Sequence, residues 1–214
     1  MAKMGDMSEG TTNASRQTPL PRGRNVALLL PNLLTYGRIL AAPVVAGALM
    51  WGTPRAHWLA FAVFILAAIT DFFDGWLARA WQQQSALGKM LDPIADKLLM
   101  AAVLLMLSAN GVIHGAHLWA AFIILSREVL VSGLREFLGQ LRVSLPVTWL
   151  AKWKTAIQLV AVGMLLLAPA LKGARGVHEL GLLGLWIAAG LTLYTGYDYL
   201  RAGLKHAIDE DSAA

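Results

Sequence analysis

Long apolar runs alternate with short polar or turn-forming segments along most of the chain, from about residue 30 onwards. Each run has about 20 residues, the length that an α-helix needs to cross the hydrocarbon core of a bilayer. The runs predict six transmembrane helices, at about residues 33–51, 57–79, 90–109, 117–138, 148–168 and 180–203. The pattern therefore predicts an all-α integral membrane protein with a single helical domain.

The two ends of the chain differ from this pattern. Residues 1–24 are polar and rich in Ser, Thr, Pro and Gly, and they lack the apolar core of a cleavable signal peptide. We interpret them as a disordered cytoplasmic tail. We expect the helical domain to occupy residues 25–206 and a solvated C-terminal tail to occupy residues 207–214.

Composition and charge narrow the class of protein further. The chain is 57% hydrophobic and 14% charged, which does not suit a soluble globular domain, and we expect no nucleic-acid partner. The absence of cysteine excludes disulfides and thiolate metal sites. Of the 18 lysine and arginine residues, all but Arg55, Lys172 and Arg175 fall on the side of the termini. The positive-inside rule therefore places both termini at the cytoplasmic face.

Four aspartates interrupt the apolar pattern where the second and third predicted helices meet. Asp71 and Asp74 are three residues apart, and Asp92 and Asp96 are four apart, so each pair shares one helix face. A charge at the centre of a membrane helix costs about 2.5–3.5 kcal/mol on insertion scales, and four carboxylates also repel one another. We therefore expect these acids to lie near the cytoplasmic interface and to face one cavity.

Carboxylates clustered in this way are suited to binding cations. Oxygen ligands without cysteine suit Mg²⁺, Mn²⁺ or Ca²⁺, and a pair of such ions suits phosphoryl transfer. The alternative is that the four acids are merely solvated at helix ends around a cytoplasmic turn. The glycines and the Ala-Arg pair at fixed spacings around the acids favour the metal site.

The residues around the aspartates form a long and specific motif. It is D-x-x-D-G-x-x-A-R, then eight residues, then G-x-x-x-D-x-x-x-D, from Asp71 to Asp96. The motif resembles the signature of the CDP-alcohol phosphatidyltransferases at every specified position. The resemblance implies the membrane fold of that family, a site for CDP-diacylglycerol with two Mg²⁺ or Mn²⁺ ions, and a homodimer.

Three further segments extend the resemblance over nearly all of residues 30–205. They are P-N-x-L-T-x-x-R from Pro31, R-E-x-L-V-S-G-L-R-E-F from Arg127, and W-L-A-K-W-K-T from Trp149. They are similar to the bacterial branch of the family, whose acceptor alcohol is glycerol 3-phosphate. The resemblance thus implies a multi-pass enzyme of the bacterial inner membrane whose active site faces the cytoplasm.

Site residues follow from the motifs. The metals are assigned to Asp71, Asp74, Asp92 and Asp96, and Asp96 is also the candidate general base for the acceptor hydroxyl. CDP-diacylglycerol binding is assigned to Asn32, Thr35, Arg38, Gly75, Ala78, Arg79 and Gly88. The phosphate of glycerol 3-phosphate is assigned to Arg127, Arg135, Lys152 and Lys154, because an anionic acceptor needs cationic side chains.

Several of these residues have an alternative interpretation. Asn32 and Thr35 could cap the first helix, and Arg38 could extend to the interface. Arg127 and Arg135 could form intramembrane ion pairs with Glu128, and Lys152 and Lys154 could anchor their helix at the interface. Pro93 could begin the third helix or kink one that starts earlier.

Other functions are also considered. The acceptor could be serine or an inositol phosphate rather than glycerol 3-phosphate. An intramembrane prenyltransferase also uses aspartate-rich motifs, but it would not require the D-G-x-x-A-R arrangement. A cation transporter would be expected to show paired broken helices in two related halves, and the sequence has one acidic hairpin with no matching half.

Overall fold

The computed structural model describes residues 30–80, 86–140, 149–173 and 175–211. This part of the chain is helical and contains no strand. It forms α1 (Leu30–Met50), α2 (Pro54–Ala80), α3 (Ala86–Ala109), α4 (His117–Gln140), α5 (Trp149–Leu167) and α6 (Arg175–Asp211). A short 3₁₀ helix, Ala168–Ala170, follows α5.

The six helices of the described residues coincide with the six predicted apolar runs, with ends that shift by a few residues. Four candidate membrane spans are long and apolar enough within the described residues: Asn32–Met50, His117–Gly139, Lys152–Ala170 and Arg175–Arg201. The largest shift is in α6, which continues to Asp211 and so includes most of the predicted C-terminal tail. The N-terminal tail and the turn at 81–85 lie outside the described residues.

Two groups of helices share one apolar core. α1 packs against α2 and α3, α6 packs against α4 and α5, and α2 and α3 contact α5 between the groups. Val45, Phe64 and Leu107 from the first group and Leu165 and Leu185 from the second are almost completely buried. Many large apolar side chains remain exposed on the outside of the bundle, as expected for helices whose outer faces contact lipid.

Two local predictions are decided by the helix bounds. α1 is helical from Leu30, so Asn32 and Thr35 lie inside the helix and not at its cap; the capping interpretation is wrong for both residues. α3 begins at Ala86, so Pro93 lies within the helix and does not start it. In both cases the helix extends further toward the polar segment than the apolar run by itself predicts.

Candidate active site

One buried arginine organises the acidic part of the molecule. Arg38 on α1 is 2% exposed, and its Nη1 donates to Oδ1 of Asp71 on α2 and to Oδ1 of Asp96 on α3. Its Nη2 lies 3.2 Å from Oδ1 of Asp92. The packing of α1 against both α2 and α3 makes this arrangement possible, because it places the three carboxylates around one guanidinium. We call these four side chains the acidic cluster.

Thr35, one helical turn before Arg38, completes the acidic cluster. Its Oγ1 donates a hydrogen bond to Asp92 Oδ1, although Thr35 itself is only 1% exposed. A buried hydroxyl therefore orients one carboxylate toward the guanidinium. In the P-N-x-L-T-x-x-R segment, Thr35 and Arg38 are three residues apart and therefore reach Asp92 from one helix face.

The acidic cluster has the donor chemistry of a divalent-cation site. The side chains of Asp71, Asp92 and Asp96 are each about half exposed, whereas Arg38 is buried, and Asp71 and Asp96 line a cavity from which an ion could reach them. Among the side chains that the structure describes, no group of three acids or histidines is already arranged around a metal position. Asp74 lies in α2, but its side chain is outside the described set.

Some predicted CDP-diacylglycerol residues can be placed and others cannot. Asn32 is buried, 2% exposed, on α1 within two turns of Arg38. Gly88 is buried in the first turn of α3. The side chains of Ala78 and Arg79, like the surroundings of Gly75, lie outside the described residues. Their assignments remain predictions.

A second group of charged side chains contains mainly cations around one carboxylate. Glu128 on α4 accepts a hydrogen bond from Lys154 Nζ of α5 through Oε1, and Arg127 Nη1 lies 3.6 Å from the same oxygen. Of the two arginines considered as ion-pair partners of Glu128, Arg127 lies within ion-pair distance, whereas Arg135 contacts Tyr199; Lys154 is a partner that the sequence did not indicate. We call Arg127, Glu128, Arg135 and Lys154 the basic cluster.

α6 supports the two arginines of the basic cluster. Arg127 Nη2 donates to Thr195 Oγ1 at 3.1 Å, and Arg135 Nη2 donates to the Tyr199 hydroxyl at 3.4 Å. The Cζ atoms of Arg127 and Arg135 lie 5.9 and 5.6 Å from the centre of the Tyr199 ring, within range of a cation–π interaction. A Cβ at position 196 would lie 3.0 Å from Arg127 Cγ, so Gly196 lets the arginine stem lie against α6.

All of the basic cluster and all of the acidic cluster except Asp92 line one cavity, which has a volume of about 360 Å³. Its wall includes Arg38, Asp71 and Asp96 at one part and Arg127, Arg135 and Lys154 at another. The cavity can therefore accept a cation and an anion side by side. Such a combination suits the transfer of a phosphoryl-type group to an anionic acceptor.

The structure separates two lysines that the sequence treats alike. Lys154 is buried in the cavity wall, whereas Lys152 is exposed and is not among the residues that line the cavity. The interfacial-anchor interpretation therefore suits Lys152.

Sequence reasoning missed the cavity residue Gln158 and the supporting residues Thr195 and Gly196. The spacing of Gln158 from Lys154, four residues on one helix, is the signal that could have found it.

These features define an α-helical protein with candidate membrane spans and with a cavity lined by both carboxylates and cationic side chains. The sequence profile of the CDP-alcohol phosphatidyltransferase family matches residues 28–194. The chain belongs to this family, as its aspartate motif predicts.

Curated relatives agree with the family assignment. The chain is 41% identical to a protein of Cereibacter sphaeroides, across 85% of this chain and 98% of the relative. It is 47% identical to a protein of Rickettsia bellii across 83% and 96%, and 36% identical to one of Pectobacterium atrosepticum across 81% and 93%. All three relatives bear the name CDP-diacylglycerol–glycerol-3-phosphate 3-phosphatidyltransferase.

Proposed function

We propose that the protein transfers a phosphatidyl group from CDP-diacylglycerol to glycerol 3-phosphate, giving phosphatidylglycerophosphate and CMP in phospholipid biosynthesis. One observation carries the proposal: Asp71 and Asp96 of the acidic cluster line the same cavity as the basic cluster. A donor that reacts at a diphosphate needs cations at the carboxylates. An acceptor that carries its own phosphate needs a second, cationic pocket within reach. The names of the relatives supply the two substrates.

In the proposed reaction, each of these groups has a role. A hydroxyl oxygen of glycerol 3-phosphate forms a bond to the phosphorus that carries the diacylglycerol. The bond from this phosphorus to the bridging oxygen of the diphosphate breaks, and CMP leaves with the electron pair. Asp96 takes the hydroxyl proton, since its carboxylate lines the cavity and is half exposed. The basic cluster holds the acceptor phosphate through Arg127, Arg135 and Lys154.

The four aspartates would hold the divalent cations, Mg²⁺ or Mn²⁺, within this proposal. Asp71, Asp92 and Asp96 supply the oxygen ligands that such ions prefer, and Asp74 follows Asp71 by three residues on the same helix. The bound ions would neutralise the diphosphate and the charge that develops on it. Arg38 keeps the three described carboxylates together from the buried side of the cluster.

We further propose six membrane spans in the bacterial inner membrane, with both termini and the cavity at the cytoplasmic face, and a homodimer. Since the chain contains no cysteine, single substitutions can be labelled without background. In spheroplasts, an impermeant maleimide should label Lys172→Cys and not Gln84→Cys. Labelling of Gln84→Cys in intact spheroplasts would refute the orientation. Chemical cross-linking in membranes tests the dimer.

The decisive assay is CMP release by the purified protein with CDP-diacylglycerol and Mg²⁺. Glycerol 3-phosphate, serine and inositol phosphate are compared as acceptors. We expect release with glycerol 3-phosphate and little with the others. Release with another acceptor would keep the acidic cluster in its role and refute the acceptor assignment, while release with none would refute the transferase itself.

A further inference from the structure

Gln158 is a buried polar side chain of the cavity for which the proposed reaction has no role so far. It lies on α5, is 4% exposed, and lines the cavity together with both charged clusters. Its Oε1 is buried and has no hydrogen-bond partner among the described residues. A buried carbonyl oxygen without a donor is unfavourable, so a side chain kept in this state points to a ligand that supplies the donor.

The position of Gln158 on α5 relates it to the basic cluster. Gln158 follows Lys154 by four residues and therefore lies one turn further along the same helix face. α5 also contacts α2 and α3, which carry the aspartates. The amide is thus beside the lysine that holds the acceptor phosphate and on a helix that packs against the helices of the acidic cluster.

Because the amide oxygen of Gln158 can only accept a hydrogen bond, the ligand group beside it must be a donor. A phosphate oxygen is itself an acceptor and gains nothing from Oε1, whereas an uncharged alcohol hydroxyl can donate to it. Glycerol 3-phosphate has three groups: a phosphate for the basic cluster, a terminal hydroxyl for Asp96, and a secondary hydroxyl between them. The secondary hydroxyl is the group for which no side chain has yet been assigned.

We propose that Gln158 accepts a hydrogen bond from the secondary hydroxyl of the acceptor and thereby makes the cavity selective for a polyol phosphate. This inference rests on the proposed function, because it takes glycerol 3-phosphate as the acceptor. It adds a specificity determinant on α5 to the cationic side chains that bind the phosphate.

The test combines a substrate change with a side-chain change. The substrate analogue is 3-hydroxypropyl phosphate, which keeps the phosphate and the terminal hydroxyl and lacks the secondary one. In the unaltered protein, loss of the hydroxyl should lower kcat/KM by about tenfold or more, because the buried oxygen then stays unpaired. In Gln158→Met, which has a similar shape and no amide, the two acceptors should differ by less than about threefold.

A matched control comes from a second buried oxygen. Thr192 is fully buried and its Oγ1 also has no partner among the described residues, but it is not among the residues that line the cavity. Thr192→Val should therefore keep the preference of the unaltered protein for glycerol 3-phosphate. Gln158→Asn, which withdraws the amide by one methylene, should lose the preference, and it serves as the test if Gln158→Met does not fold.

The outcomes separate this inference from the proposed function. An unaltered protein that does not use glycerol 3-phosphate refutes the function itself. A protein that uses it, but shows the same preference with and without the Gln158 amide, refutes only the role of Gln158. The last comparison uses deoxy-CDP-diacylglycerol, a donor that lacks a ribose hydroxyl. If the unaltered protein discriminates against this donor and the Gln158 variant does not, the amide binds the ribose. The assignment of Gln158 to the acceptor would then be wrong.

Discussion

The two charged clusters of the cavity have opposite net charges, and each contains one residue of the opposite sign. In the acidic cluster one guanidinium, Arg38, contacts three carboxylates. In the basic cluster one carboxylate, Glu128, contacts Lys154 and Arg127, with Arg135 beside them on the ring of Tyr199. Each cluster therefore contains a single internal counter-ion that offsets part of the charge and leaves an excess.

The sign of the excess tells what each cluster can bind. Three carboxylates and one guanidinium leave a net negative charge, which favours cations, while three cations and one carboxylate favour an anion. The counter-ions also differ in burial: Arg38 is 2% exposed, and the side chain of Glu128 is 23% exposed. Arg38 is therefore a fixed part of the interior, whereas Glu128 borders the space that a ligand would enter.

The largest expected effect comes from removing the proposed base of the acidic cluster. Asp96→Asn keeps the shape of the side chain and an oxygen for Arg38, but it cannot take a proton. We expect kcat for CMP release to fall by about 10²–10⁴-fold while the thermal unfolding temperature changes little. Glu179→Gln, at an exposed position on α6, is the control and should keep full activity. Full activity of Asp96→Asn would refute the base assignment.

Arg38, the buried counter-ion of the acidic cluster, should contribute to the free energy of unfolding. Arg38→Gln leaves three carboxylates without their shared partner, and we expect a loss of about 1–2 kcal/mol in the free energy of unfolding, which is less than the roughly 3–5 kcal/mol for a fully buried pair because the carboxylates are about half exposed. Added Mg²⁺ should restore part of this loss, because a cation replaces the missing charge. Unfolding in detergent with EDTA or Mg²⁺ measures both effects.

The control for this substitution is Arg55→Gln, at an exposed arginine in the first turn of α2. It should change neither the unfolding temperature nor the response to Mg²⁺. An Arg38→Gln protein as stable as the unaltered one in EDTA would show that the acidic cluster does not depend on its guanidinium.

Substitutions in the basic cluster should have a different effect, because they should lower the affinity for only one of the two substrates. Lys154→Met removes a buried cation from the cavity wall, and we expect the KM for glycerol 3-phosphate to rise by about 10–100-fold. The KM for CDP-diacylglycerol should change by less than about threefold. Lys152→Met is the matched control, since this lysine is exposed and lies outside the cavity lining. Equal effects of the two substitutions would contradict the division of roles.

The smallest expected effect tests the support that α6 gives to Arg127. Gly196→Ala places a Cβ 3.0 Å from Arg127 Cγ and should displace the arginine by a few tenths of an ångström. We expect the KM for glycerol 3-phosphate to rise by about threefold, which corresponds to less than about 1 kcal/mol. Gly190→Ala on the same helix meets no atom within 4 Å and should leave the KM unchanged. An unchanged KM in both variants would remove Gly196 from the support of the basic cluster.

The sequence predicted the acidic cluster more completely than the basic one. The aspartates, Thr35 and Arg38 belong to contiguous motifs whose spacing fixes one face of each helix, so their chemistry could be recognised before the helices were packed. The basic cluster depends on α4, α5 and α6, and the sequence identified its cations without the residues that support them. Tyr199 illustrates the limit: it lies outside the motifs from which the sequence was interpreted, and the structure shows two arginines against its ring.

The helices and the kinds of charge in the cavity could be predicted from the sequence alone. Hydrophobic runs of bilayer length and motifs of fixed spacing are local properties, and each can be read within one or two helical turns. The packing of the helices was needed to show that Arg38 contacts three aspartates, that Lys154 lines the cavity and Lys152 does not, and that Gln158 Oε1 is buried there without a hydrogen-bond partner among the described residues. These facts depend on how the helices are rotated and paired, because side-chain contacts between helices are set by packing across long sequence separations and not by the order of residues within one helix.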